Sequence, residues 1–263
     1  MTRLTRRRLL VLGASALAPA ALGGCGATTR VVPGTTITLR GGPMQGLLLA
    51  RAERHVADAC RQLSTVLGDP PAAPLEVRLV SHFSSPAGPG AAARYLPAER
   101  VIEVQLATSH DPLGDLREFR ACIWHEYVHV LLHDRTGGEP LPAWFDEGVA
   151  EYFGRYGSGI DWRPESRGGA FLEVVRTRRV PRFFEIDRLF YAADHARAYT
   201  AYAFAYTAAA LLVARFGDSA PALVAEAVRQ RYTVGGALRR LYGTRLADFE
   251  AEWQASLITR YAT

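Results

Sequence analysis

His125-Glu126-Tyr127-Val128-His129 sets two imidazoles four residues apart with a carboxylate beside the first. On a helix, residues so spaced lie one turn from each other on the same face. Two imidazoles in that arrangement can bind one zinc ion, each at about 2.0–2.1 Å. Glu126 projects beside the pair, where it reaches a water on the metal rather than the metal itself. The flanking residues Ile123, Trp124, Val128, Val130 and Leu131 are apolar. Three polar groups buried together in such a stretch need a joint partner, and a cation supplies one. His133 continues the stripe, but at 1.5 Å per residue it lies about 12 Å along the axis from His125. One ion cannot take both, so His133 is expected to be a surface or supporting residue.

The remaining protein ligand has to come from another element. Leu141-Pro142-Ala143-Trp144-Phe145-Asp146-Glu147-Gly148-Val149-Ala150-Glu151-Tyr152-Phe153 reads as a second helix with proline in its first turn. A short turn packs it against the first. Glu147 and Glu151 share one of its faces, so a carboxylate from this helix completes a His2Glu set, one zinc per chain, and leaves the fourth position for water. Asp146 and Glu151 stand as alternatives to Glu147.

Around these two helices the chain reads as α+β: a small α/β lobe with a short sheet, then a mainly helical lobe, with the active-site helix between them. Residues 45–110 form the α/β lobe, 111–158 the metal-binding helices and 159–263 the helical lobe. Leu48, Ala52, His55, Val56, Ala59, Leu63 and Leu67 give a helical period ending at Gly68. Leu75 to Val80 alternates apolar and polar, as a half-buried strand does, and Val101 to Leu106 reads as a second strand. Residues 84–93, rich in Ser, Pro, Gly and Ala, read as a loop. Beyond Asp111-Pro112 the patterns are helical, at about 115–133, 142–155, 198–216, 219–230 and 245–261, with shorter pieces near 168–177 and 183–191.

The pair His125-Glu126-x-x-His129 and Trp144-Phe145-Asp146-Glu147-Gly148-x-Ala150-Glu151 resembles the gluzincin metallopeptidases, whose catalytic core is thermolysin-like, and among them the bacterial peptidase-MA-like families. That resemblance implies His125, His129 and Glu147 as zinc ligands, Glu126 as general base, and Glu151 as the carboxylate that orients the first histidine. It also implies a tyrosine from the helical lobe as oxyanion donor, and Tyr202 matches that position best, with Tyr199, Tyr206 and His195 nearby. In related folds a strand edge beside the metal holds the substrate, and 101–106 is the expected edge. Asp248-Phe249-Glu250-x-Glu252-Trp253 is similar to the closing helix of these families. A metzincin is excluded, because Leu132 and Arg135 stand where that motif needs Gly and His.

The N-terminus reads as an address. Arg3, Arg6, Arg7 and Arg8 precede an apolar stretch from Leu9 to Leu22, and Leu22-Gly23-Gly24-Cys25 resembles the lipobox of bacterial lipoproteins. Residues 1–24 are therefore expected to be a signal peptide, by the general or the twin-arginine route, and Cys25 the lipidated residue. Residues 25–44, rich in Gly, Thr and Pro, read as a flexible tether. The 263-residue chain carries 31 basic and 26 acidic residues; removing four arginines with the signal leaves 27 against 26, a net +1. Net charge thus gives no support to nucleic-acid binding, and the run Arg176, Arg178, Arg179, Arg182 reads as a solvated face. Cys60 and Cys122 can either pair in an oxidising compartment or remain buried thiols.

The expected function is a zinc metallopeptidase acting on peptide or protein substrates at the cell envelope, lipid-anchored to a membrane outside the cytoplasm. Two alternatives are a zinc-containing envelope binding or assembly lipoprotein without turnover, and a zinc hydrolase of cell-wall amide bonds. Glu126 weighs against the first, because a structural zinc site closes all four positions and needs no base.

Overall fold

The computed structural model describes residues 28–32, 37–41, 46–69, 71, 73–83, 92–105, 116–158, 169–191 and 194–262. Residues 1–24 and Cys25, expected as signal peptide and lipidation site, lie outside them. The described chain is a mixed α+β protein, mostly helical. Its five strands are β1 Thr28–Val32, β2 Ile37–Gly41, β3 Leu75–Val80, β4 Ala93–Leu96 and β5 Val101–Gln105. Its helices are α1 Gly46–Leu63, α2 Leu116–Thr136, α3 Ala143–Ser158, α4 Gly169–Arg176, α5 Phe183–Phe190, α6 His195–Phe216, α7 Ala220–Arg229, α8 Val234–Tyr242 and α9 Leu246–Tyr261.

The strands form one sheet in the order β1-β2-β3-β5-β4, with β1–β2 and β4–β5 antiparallel and the two inner pairs parallel. Parallel β2 and β3 need a crossover, and α1 supplies it. Leu75, Val77 and Leu79 are buried with Ile102 and Val104, their neighbours across the sheet, against the apolar stripe Leu49, Ala52, Val56, Ala59 and Leu63 of α1. The opposite face carries the Arg78–Glu76 and Arg94–Glu103 ion pairs.

Two expectations about the sheet are corrected. The segment 25–44 is not all tether, since β1 and β2 lie within it. Thr28, Thr29, Val31, Val32, Ile37 and Thr38 are β-branched and flank Pro33-Gly34, a hairpin pattern that the overall Gly and Pro content masked. The 101–106 segment is not an edge: β5 lies between β3 and β4, and the edge is β4, whose first residue falls within the 84–93 stretch read as a loop. Gln105 N–H donates to Ala92 C=O, so the backbone groups of residues 92, 94 and 96 face β5. Those of Ala93 and Tyr95 therefore point to the outer edge.

Helix α2 is buried on nearly all sides, through Ile123, Trp124, Tyr127, Val128, Val130 and Leu131, because it lies between the sheet and the helical lobe. α3 packs against α2 and α6 at glycines: a Cβ on Gly154 would come within 3.2 Å of the His125 Cβ, and one on Gly148 within 2.4 Å of the Ala205 carbonyl oxygen. An aromatic layer, Trp144 stacked on Phe183 at 3.9 Å and Phe183 on Trp253 at 5.1 Å, ties α3 to α5 and α9. α8 has no counterpart among the expected helices. Its Gly235-Gly236 pair weakens the helical signal, which Thr233 restores by capping the Gly236 N–H.

Candidate metal centre

Three side chains from α2 and α3 converge. His125 Nε2 lies 3.1 Å from His129 Nε2 and 3.2 Å from Glu147 Oε2, and His129 Nε2 lies 3.5 Å from the same oxygen. A tetrahedral ion about 2.0–2.1 Å from each donor requires donors about 3.3–3.4 Å apart, which these three edges bracket. Oε2 of Glu147 is buried and has no hydrogen-bonded partner, although two ring nitrogens face it. A buried carboxylate oxygen left so is costly, and a cation shared with the two imidazoles satisfies all three atoms at once. The residues therefore fit a metal, and His125, His129 and Glu147 form a group within metal-binding distance.

The other ring nitrogens are held by carboxylates. His125 Nδ1 lies 3.2 Å from Glu151 Oε2, and His129 Nδ1 lies 3.1 Å from Asp146 Oδ1. With Nδ1 engaged on each ring, both Nε2 atoms are turned toward Glu147. Glu151 thus lies at the first histidine, on the ring nitrogen away from Glu147. Asp146, an alternative ligand by sequence, instead orients His129. Its adjacency to Glu147 was visible in the sequence, but nothing there indicated that its carboxylate turns toward the second histidine. Glu151 Oε1 accepts from Nε and Nη2 of buried Arg155 at 3.2 and 3.1 Å, and Arg155 Nη1 donates to both Glu118 oxygens at 2.9 and 2.7 Å.

Burial opposes the imidazolium of His125, but the Glu147 and Glu151 carboxylates outweigh it and raise the ring to about 9. Burial likewise opposes a charged His129, and Asp146 with Glu147 drives it well above the usual range. For Glu147, burial favours the neutral acid, yet the two histidines pull the group far below an ordinary carboxyl. Without a metal, protons on the imidazoles supply the positive charge the carboxylates demand.

Glu126 is buried and does not join the three donors. Burial raises it above the ordinary carboxylate range, while His125, His129 and the Tyr95 backbone N–H of β4 partly restore the charged form. Tyr202 of α6 has its ring centroid 6.2 Å from that of His125. Burial, then the carboxylates of Glu147, Glu151 and Glu126, hold its hydroxyl protonated. Tyr206 packs instead against Tyr152, at 5.8 Å, and Tyr199 is exposed on the surface of α6. His133 stands edge-on to Tyr95, with centroids 5.9 Å apart, and supports β4 without joining the donors. Cys60 and Cys122 are free thiols, and burial pushes Cys122 up to about 12.

Asp187 had no signal in the sequence. Its Oδ1 accepts the Trp144 N–H at 2.7 Å, so α5 caps the first turn of α3 and fixes the start of the helix that carries Asp146, Glu147 and Glu151. No protein-family model matches the chain, and a comparison with curated proteins finds no match.

Proposed function

We propose that the protein is a zinc-dependent metallopeptidase of the gluzincin type, acting on peptide bonds at the cell envelope, where lipid on Cys25 anchors it. One observation carries the reading: three donors at tetrahedral spacing, His125, His129 and Glu147, stand beside a buried carboxylate, Glu126, that is not one of them. A structural zinc site uses four protein ligands and has no need of a base next to them.

When bound, zinc supplies a Lewis acid that polarises a carbonyl and acidifies water. Glu126, raised by burial above the ordinary carboxylate range, takes a proton from the attacking water as its oxygen joins the carbonyl carbon. It then delivers that proton to the amide nitrogen as the C–N bond breaks. Tyr202, held neutral, is the hydrogen-bond donor for the oxyanion. The outward backbone groups of Ala93 and the Tyr95 carbonyl offer an edge on which an extended peptide can pair with β4, while the Tyr95 N–H serves Glu126.

The test is incubation of the zinc-loaded full chain and its Glu126→Gln variant with a diverse peptide mixture, read by mass spectrometry. The amide is nearly isosteric with the carboxylate but accepts no proton at neutral pH. The variant should keep fold and zinc and lose at least about a hundredfold in kcat. Zinc binding without cleavage by either protein would overturn the peptidase reading and favour a binding lipoprotein or a wall-amide hydrolase.

A further inference from the structure

The outer face of α5 and the turn that precedes it carry an unusual combination of charge and aromatic surface. Arg176, Arg178, Arg179, Arg182 and Arg188 are all exposed, against the exposed acids Glu173 and Glu185. Arg182 pairs with Glu250 at 3.3 Å, and Glu185 accepts the Arg182 N–H at 2.7 Å. Arg176, Arg178, Arg179 and Arg188 have no ion pair among the described residues. Near α8, Arg229, Arg231 and Arg245 each face an acid, Glu226, Glu139 and Asp248. Arg239 and Arg240 face none among the described residues, but Arg240 donates to the Tyr232 hydroxyl and Tyr232 is only 36% exposed.

Phe184 and Arg188, four residues apart, share one face of α5, and Tyr191 follows at its C-terminal end. Phe184 is 47% and Tyr191 84% exposed. The guanidinium carbons of Arg182 and Arg188 lie 5.3 and 5.5 Å from the Phe184 ring centroid, so the ring is flanked by cations. Arg178 has φ 55°, a left-handed conformation at the C-terminal turn of α4 that glycine would adopt without strain. The two other non-glycine residues in that region, Arg100 and Arg231, ion-pair with Asp134 and Glu139. Arg178 has no such compensation.

We propose that this surface docks on an anionic phospholipid bilayer, with Phe184 and Tyr191 at headgroup depth and the arginines on lipid phosphates. Aromatic rings placed among cations suit a headgroup region, where one side is apolar and the other charged. A soluble polyanion offers the rings no apolar medium. A basic patch adds electrostatic attraction to an anionic leaflet, whatever lipid Cys25 carries. The inner face of α5 packs toward the metal centre through Phe190, whose ring is 4.9 Å from that of Tyr202. Docking through α5 therefore holds the metal centre close to the bilayer surface. The proposal does not depend on the peptidase reading, and its test needs no turnover.

The test is co-sedimentation of the full chain, as Cys25→Ala to remove lipidation, with phosphatidylcholine vesicles lacking or containing about one third phosphatidylglycerol. Residues 1–24 are common to all variants, so differences report the patch. Each arginine near an anionic surface contributes about fivefold in partitioning. The combined Arg178→Gln, Arg179→Gln, Arg188→Gln variant should bind anionic vesicles at least about thirtyfold more weakly, whereas Arg239→Gln with Arg240→Gln on α8 should change binding by about twofold or less. Phe184→Ala with Tyr191→Ala should weaken vesicle binding severalfold and leave binding to soluble heparin unchanged. Arg178→Gly should lower vesicle binding about fivefold while thermal stability holds or rises, which separates lost docking from lost fold. Equal vesicle binding by wild type and the triple variant would overturn the proposal. Unchanged vesicle binding by the aromatic double variant would also overturn it, leaving a general polyanion surface.

Discussion

Asp146 Oδ1 lies 3.1 Å from His129 Nδ1, on the side of the ring opposite the Nε2 that faces Glu147. Consecutive residues of one helix turn thus serve two purposes, Asp146 aiming a histidine and Glu147 joining it as a donor. Asp146→Ala should leave the His129 ring free to turn and weaken zinc binding by about 10–100-fold, while Asp146→Asn, which keeps an acceptor oxygen, should cost less. Competition with a chromophoric chelator measures both. Wild-type zinc affinity in Asp146→Ala would show that packing alone holds the ring.

The chain from Glu118 through Arg155 and Glu151 to His125 makes a second prediction, on stability. Arg155 and Glu151 side chains are each 10% exposed, whereas Glu118 is 33% exposed. Arg155→Met removes the guanidinium and leaves buried Glu151 with the His125 ring as a cationic partner, which should cost about 3 kcal/mol. Glu118→Gln, nearer the solvent, should cost about 1 kcal/mol or less. Urea unfolding of the metal-free protein gives the comparison, and equal losses in the two variants would contradict a chain anchored at its buried end.

Much of the site was legible because its chemistry repeats with the helix. His125 and His129, and then Glu147 and Glu151, fall four residues apart within otherwise apolar stretches, so both the helices and their facing sides follow from spacing. What spacing cannot carry is the approach of one element to another. Asp187 reaches the Trp144 N–H from 43 residues away, and Gly148 matters only because the Ala205 carbonyl lies against it. The edge strand was misplaced for a related reason. β4 is four residues long and follows a stretch rich in Gly and Pro, whereas β5 has the stronger apolar run because it is internal to the sheet.

His55 predicts a pH dependence independent of the metal centre. Burial, then Arg120 with Arg54 and Arg51, lowers it to about 4 against the partial opposition of Asp58, and its Nε2 is buried without a partner. In the unfolded chain the ring titrates near 6.5, so as pH falls from about 6.5 to 4 the unfolded state takes the proton first. Stability should fall across that window and level off below it. The full shift corresponds to about 3 kcal/mol, and the ring's partial exposure reduces this to about 2 kcal/mol. His55→Leu should lose that component, read as the difference between wild-type and variant urea midpoints across the window. Parallel pH profiles for the two proteins would refute it.

Tyr202 is the remaining test of how the site works. Its hydroxyl is buried among Glu147, Glu151 and Glu126, which keep it protonated and therefore a donor throughout the neutral range. A donor that acts on the oxyanion strengthens the transition state and leaves the bound metal alone. Tyr202→Phe preserves the ring, its 4.9 Å contact with Phe190 and the packing of α6 on α5, and removes only the hydroxyl. At saturating zinc, kcat should fall by about 10- to 100-fold while zinc affinity stays within about threefold of wild type. KM should change less than kcat, because the interaction is made chiefly after the carbonyl carbon has become tetrahedral. A variant that instead loses zinc affinity, with kcat restored by excess zinc, would make Tyr202 a positioning residue for Glu147 and leave the oxyanion to another donor.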